Sequence, residues 1–320
     1  MSTYKIGSFN IQKFNFRSEE DKNKNYDNIA KIIKENEFDV IAIQEALTPN
    51  AIEKLVKTLG QAYWDYRWAQ PKSCSSNARE GYAFIWKKKR LNLIDSNSNP
   101  EILNRYDFKR SNKLTDNNLI RAPFVIRLTP QGLPGGCNFE FRLINTHIAF
   151  TTPSVLNANI AETEFRKREF KILAEEVYRR VSTKRYGFFI PAYTILLGDY
   201  NLCISGPGTK LPRTELTGGN EYSIYEIDRH MKVRTVQSEL TSLKEPPKDS
   251  TNTAESADYY SQDYDHFTFN NDYTDKMRMS VSRISAVDTY LGDTGNKLVD
   301  YHNEISDHVP IKLEINLKKR

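Results

Sequence analysis

The feature that most constrains this chain is a recurring pattern in which a short apolar run ends in an oxygen-bearing polar side chain. Val40-Ile41-Ala42-Ile43 runs into Gln44-Glu45, Leu196-Leu197-Gly198 into Asp199 and Asn201, and Asn10 closes the run Ser8-Phe9-Asn10-Ile11-Gln12. Apolar runs this short, bounded by turn residues, read as buried strands. Further strand candidates lie at 82–86, 124–128, 139–145, 194–197, 267–269 and 311–315. Side chains at several strand ends can converge along one edge of a sheet, where binding and catalytic groups concentrate.

Helical stripes are fewer. Ile52, Leu55, Val56 and Leu59 follow the i, i+3, i+4, i+7 rule after a Thr48-Pro49 cap, and Tyr26, Ile29 and Ile33 give a second stripe. Phe165, Ile172, Leu173, Val177 and Val181 mark one face of a long charged helix that ends before Tyr186-Gly187. Many strands with few helices predict two packed sheets flanked by helices. No break in composition marks a linker, so a single domain over 1–320 is expected. Polar excursions are expected near 95–118 and 203–260, the second carrying Gly206-Pro207-Gly208 and Pro246-Pro247.

Composition narrows the function classes. The formal net charge of +5 over 320 residues favours a polyanionic partner but is far from a polybasic arm. The run Lys87-Lys88-Lys89-Arg90 is expected to be a solvated turn and is given no role. Cys74, Cys137 and Cys203 lack the spacing of a disulfide framework or a zinc site. No run approaches a membrane span and the first residues lack a signal-peptide pattern, so a soluble, cytoplasmic chain is expected.

The polar residues at the strand ends are mostly oxygen donors: Asn10, Glu45, Asp199, Asn201 and Asp307. Carboxylates and carboxamides without thiolates suit a hard cation, Mg2+ or alternatively Mn2+. His147 and His308, also near strand ends, add groups that titrate near neutral pH.

The order of these segments resembles the endonuclease/exonuclease/phosphatase superfamily, and within it the deoxyribonuclease I-like nucleases. The matching segments are Ser8-Phe9-Asn10-Ile11-Gln12, Ile43-Gln44-Glu45, Arg79-Glu80-Gly81-Tyr82, Arg121-Ala122-Pro123-Phe124, Asn145-Thr146-His147, Leu197-Gly198-Asp199-Tyr200-Asn201, Tyr264-Asp265-His266-Phe267 and Ser306-Asp307-His308-Val309-Pro310. The resemblance implies an α/β (α+β) four-layer sandwich of two mixed β-sheets with helices outside. It also implies roles. Glu45 and Asp307 would hold the metal, with Asn10 positioning Glu45 or a water and Asp199 sharing in metal binding. Asp199 and Asn201 would align the attacking water and the phosphate, His147 would pair with Glu80 and His308 with Asp265, and Arg121 would grip a phosphate oxygen with its guanidinium fork. One imidazole would stay a proton donor while the other, or Asp199, takes the proton of water.

The activity so implied is metal-dependent hydrolysis of DNA phosphodiesters to 5′-phosphate and 3′-hydroxyl ends, with nucleic acid as the partner. The alternatives are a phosphoinositide phosphatase, a sphingomyelinase-type phosphodiesterase, or a nuclease subunit of a toxin or defence complex. No exposed hydrophobic hairpin favours the lipid readings. Tyr66, Trp68 and Tyr82 are the expected stacking candidates near the site. Two departures stand out: Ala78 replaces the tyrosine that lies against the DNA minor groove in the secreted deoxyribonucleases, and His266 follows Asp265 where an arginine is often found.

Overall fold

The computed structural model describes residues 2–16, 24–71, 80–94, 99–106, 119–132, 139–151, 162–186, 191–203, 233–236, 239–245, 259–270, 272–273, 277–290 and 297–317. Two sheets carry the fold. The first has the order β12 (Met277–Arg283), β13 (Ile311–Leu317), β1 (Ser2–Phe14), β2 (Val40–Ala46), β4 (Tyr82–Lys87) and β3 (Trp64–Ala69). The second runs β10 (Val233–Val236), β11 (Asp265–Asn270), β9 (Ala192–Asp199), β8 (Glu140–His147), β7 (Phe124–Pro130) and β5 (Leu91–Leu93), with β6 (Glu101–Ile102) also on β7. Each sheet is antiparallel apart from one parallel pair, β1 with β2 and β8 with β9.

Between the sheets, Ile6, Val40, Ala42, Phe84, Phe124, Ile126, Phe141, Leu143, Ile195, Leu197, Phe267 and Leu313 pack as one buried cluster. Strands covered on both faces read as continuous apolar runs, which is why β2 and β9 stand out in the sequence. Helices α1 (Tyr26–Glu35) and α2 (Pro49–Leu59) cover the outer face of the first sheet, placing Ile29, Ile33, Ile52, Leu55, Val56 and Leu59 against Ile11, Ile41 and Ile43. The Asn25 side chain caps α1 by accepting from the Asn28 amide, whereas Thr48 before Pro49 makes no side-chain cap. Outside the second sheet, α3 (Glu162–Lys171) runs through a π-helical stretch (Ile172–Tyr178) into α4 (Arg179–Thr183) and packs Phe170, Leu173 and Val177 on Ile144 and Leu196. Short helices α5 (Ala286–Tyr290) and α6 (Lys297–Glu304) join the first outer layer through Val287 and Leu298. Two mixed sheets face to face with helices on both outsides are the four layers expected.

Several expectations need correction. The stretch 203–260 is not all excursion, because it contributes β10, which pairs with β11, and bridges that join Ser242 to His308 and Leu243 to Tyr260. The stretch 95–118 contributes β6 and a 3-10 turn at Asn104–Tyr106. The rest of both stretches lies outside the described residues, as do Ala78, Cys74 and Cys137. Past Lys87, which ends β4, the basic run is a turn as expected: Lys87 and Lys89 lie over the rings of Trp64 and Tyr63, Lys88 donates to the Gln61 carbonyl and Arg90 pairs with Asp39.

Candidate active site

Register places the site. In the second sheet His147 on β8 stands beside Asp199 on β9, and Asp199 stands beside Asp265 on β11, so three candidate residues form one row at the sheet edge. In the first sheet the edge is built by two kinks. The β1–β2 pairing shifts register between Asn10 and Phe14, and both Lys13 (φ 49°) and Glu45 (φ 56°) adopt left-handed backbone. That conformation is uncommon for residues with a Cβ. It turns the Glu45 carboxylate onto the Lys13 amide at 2.9 Å, while the Asn10 amide reaches Glu45 at 3.2 Å and Asp199 at 2.9 Å. Asn10 thereby ties the two sheets together at the site.

Asp199 is the centre of the arrangement. Its Oδ2 lies 3.6 Å from Nε2 of His147 and 3.6 Å from Nε2 of His308, and its Oδ1 accepts from the Asn201 amide at 2.8 Å. Each ring is backed by a second carboxylate. Nδ1 of His308 stands 2.7 Å from Oδ2 of Asp265 in an aligned hydrogen bond, and Nδ1 of His147 stands 3.1 Å from Oε2 of Glu80 in an ion-pair contact without hydrogen-bond alignment. Glu80 also accepts from Arg121 at 2.8 Å, and the Nε of Arg121 is buried without a partner. Asn201, itself left-handed, places its amide 3.2 Å from Nε2 of His147 and donates to the Ile148 carbonyl. The chain reaches this turn through Gly198, at φ +144°, where an added Cβ would lie 1.9 Å from the Thr146 carbonyl oxygen.

Burial sets the protonation. Burial opposes charge on His308, but Asp265 and Asp199 outweigh it and hold the ring well above the ordinary histidine range. Burial and Arg121 pull His147 down, and the carboxylates of Glu80 and Asp199 leave it raised on balance. Glu80 is penalised by burial, yet His147 and Arg121 bring it down to about 2. Asp199 goes the other way, because burial raises its carboxyl despite the two imidazoles beside it.

Asp307 accepts from the Gln12 side chain at 2.9 Å. Among the described residues no group of three His, Cys, Asp or Glu side chains forms a ready metal cage. The donors nonetheless fit a hard cation that keeps most of its water. Glu45 and Asp307 both act on the Lys24 ammonium, which burial pushes down to about 8, and the Asn10 Oδ1 is buried with no hydrogen-bond donor. Such a cation needs only one or two carboxylates from the protein.

Three supporting residues escaped sequence reasoning. Gln12 steadies Asp307, and Gln44 donates to Asn145 between the sheets. Glu169 on α3 accepts from the amides of Ile120 and Ala149, fixing the segments that carry Arg121 and His147. A charged residue on the buried side of an otherwise amphipathic helix was the only signal for it. Of the stacking candidates, Tyr82 is excluded: it is 2% exposed, and its hydroxyl accepts from the His147 amide. Trp68 donates to the Ala46 carbonyl from a half-buried position. His266 is fully buried, bonded to the Leu202 carbonyl and packed on Tyr200.

Comparison with known proteins agrees with this fold. The family model described as "Endonuclease/Exonuclease/phosphatase family" matches residues 7–308. No curated protein matches the sequence. Among solved structures, an endonuclease/exonuclease/phosphatase family protein from Bacteroides thetaiotaomicron is similar at TM-score 0.56 and 13% identity, covering 100% of this chain and 99% of its own. TDP2 from Caenorhabditis elegans gives TM-score 0.54 and 14% identity over 98% of this chain and 75% of its own. The Bacteroides thetaiotaomicron mannosyl-6-phosphatase gives 0.55 and 13% over 98% and 99%. At such identities the likeness is one of fold.

Proposed function

Because the chain belongs to the endonuclease/exonuclease/phosphatase family, a family of phosphoester hydrolases, we propose that it is a divalent-metal-dependent endonuclease that hydrolyses DNA phosphodiesters, acting as one domain over 1–320. The observation that carries this reading is the placing of Asp199 between two imidazoles, 3.6 Å from each, with a separate carboxylate behind each ring. A phosphodiester is already negative, so its hydrolysis needs a proton acceptor for water, a proton donor for the leaving alkoxide and positive charge on the nonbridging oxygens. All three are provided here. Arg121-Ala122-Pro123-Phe124 and the His147–Glu80 pair resemble the nuclease branch, and the net charge of +5 suits a polyanion.

In this mechanism His308, kept charged by Asp265 and Asp199, donates the proton to the leaving 3′ oxygen. Asp199, whose carboxyl burial has raised, accepts the proton of the water, which Asn201 orients. His147 and Arg121, held by Glu80, hydrogen-bond the nonbridging oxygens. A new P–O bond forms to the water oxygen and the bond from phosphorus to the 3′ oxygen breaks, leaving 5′-phosphate and 3′-hydroxyl. Glu45, Asp307 and Asn10 would hold a Mg2+ ion, which supplies Lewis-acid stabilisation of the phosphoryl charge.

The test is supercoiled plasmid with Mg2+, with and without EDTA, followed by DNA ligase alone. Nicked circles that ligase reseals support the reading, since resealing requires 5′-phosphate beside 3′-hydroxyl. Intact plasmid together with phosphate release from mannose 6-phosphate or phosphoinositides would replace it with a phosphatase.

A further inference from the structure

Beside the catalytic row lies a feature the mechanism does not use. Among the described residues only two large apolar side chains are exposed, Tyr63 and Phe150. Tyr63 belongs to the far end, under Lys89. Phe150, 49% exposed, sits three positions past His147 on a segment pinned to the site: the Ile148 amide donates to the Asp199 carbonyl and the Ala149 amide to Glu169. Its ring meets Tyr264 edge-on at 6.3 Å, and Tyr264 immediately precedes Asp265 and accepts from the Tyr200 amide. The Arg166 guanidinium lies 4.7 Å over the Phe150 ring, donates to Thr163 through Nη2 and interacts with the Tyr264 side chain, while its Nε and Nη1 are buried without an aligned acceptor.

An exposed aromatic ring held by a rigid backbone presents a stacking surface at little conformational cost, and orphaned guanidinium donors lack an anion. The geometry points to a subsite formed by Phe150, Arg166 and Tyr264 for the nucleotide next to the scissile phosphate, its base stacked on Phe150 and its phosphate oxygen on Arg166. This rests on the nucleic-acid reading above and gives it a stated contact. Aromatic stacking is tolerant of base identity, so the subsite sets preference for unpaired nucleotides rather than for sequence.

The test measures binding apart from cleavage: anisotropy of a fluorescein-labelled single-stranded oligodeoxynucleotide in EDTA, titrated with wild type, Phe150→Ala, Phe150→Trp and Arg166→Gln. Phe150→Ala should weaken binding about tenfold and Phe150→Trp should retain it. Arg166→Gln should lower the slope of log Kd against log salt by about one phosphate contact. No binding by wild type, or equal affinity of wild type and Phe150→Ala, overturns the subsite. Its failure is separable from failure of the nuclease reading: plasmid left intact in Mg2+ while Phe150→Ala still weakens binding removes the nuclease and keeps the subsite, and unaltered affinity with normal nicking does the reverse. Phe150 is a surface residue, so loss of folding does not confuse the outcome.

Discussion

The side-chain amide of Gln44, on the first sheet, donates a 2.7 Å hydrogen bond to Oδ1 of Asn145 on the second. Asn145 in turn donates to the carbonyls of Ile43 and Ala83, so one carboxamide spans the gap between sheets directly beneath Glu45 and His147. Replacing it leaves its buried partners on the first sheet short of a hydrogen bond, each costing roughly 1–3 kcal/mol. Asn145→Ala should therefore lower the urea midpoint strongly without changing the denaturant slope. A shift equivalent to under about 0.5 kcal/mol, the size of an ordinary surface substitution, would show that the tie is dispensable.

Glu80 and His147 give the site opposite pH limits. Glu80, brought down to about 2, contributes stability that is complete above its ordinary value of 4.5 and fades as pH falls through about 2. His147 is raised, so its contribution is complete below its ordinary 6.5 and fades as pH rises through its value in the folded protein. Glu80→Gln should flatten the acid limb of stability between these two Glu80 values and move the alkaline limb of kcat/KM to lower pH, because burial and Arg121 then act on His147 with less opposition. Chemical denaturation and rate profiles across pH check both; an unmoved alkaline limb would take Glu80 out of the titration of His147.

In the proposed mechanism Glu169 would act chiefly through the backbone it holds. Without its two acceptor oxygens, the amides of Ile120 and Ala149 lose their anchor, and displacement of a reacting group by an ångström is worth about a hundredfold in rate. Glu169→Ala should lower kcat by about that factor with KM nearly constant, and Glu169→Gln, which keeps one acceptor, should recover part of it. Equal loss in both variants, tracking lowered stability, would reduce Glu169 to a packing residue.

Lys24 competes for the carboxylates a metal would use. Its ammonium lies in the field of Asp307 and Glu45 and is pushed down to about 8 by burial. Removing it in Lys24→Ala should tighten Mg2+ binding about fivefold, the equivalent of about 1 kcal/mol, by isothermal titration calorimetry. Glu45→Gln or Asp307→Asn should abolish the binding heat, and EDTA should abolish phosphoester hydrolysis in every variant.

Much of this was legible in the residues, for a physical reason. The inner strands β2 and β9 are buried on both faces and so are largely apolar, while the carboxylates at their ends, Glu45 and Asp199, are conspicuous by contrast. Edge strands gave weaker signals. In β12, half-buried Met279 and Val281 alternate with serines, and β3 mixes Asp65 and Arg67 with its aromatics, so neither stood out. The site residues that were missed work across long separations: Gln12 acts on Asp307 and Glu169 on two distant amides. No local pattern records which backbone group a buried carboxylate will meet. The misassignment of Tyr82 has the same origin, since nothing nearby tells whether an aromatic at a strand start faces solvent or the space between sheets.

The contact of Gly198 with the Thr146 carbonyl has an evolutionary consequence. Every other amino acid brings a Cβ to a place that is 1.9 Å from that oxygen. Saturation mutagenesis at this codon, sorted for folded protein, should return glycine alone, and lineages carrying this turn have no neighbouring genotype through which to drift away from it.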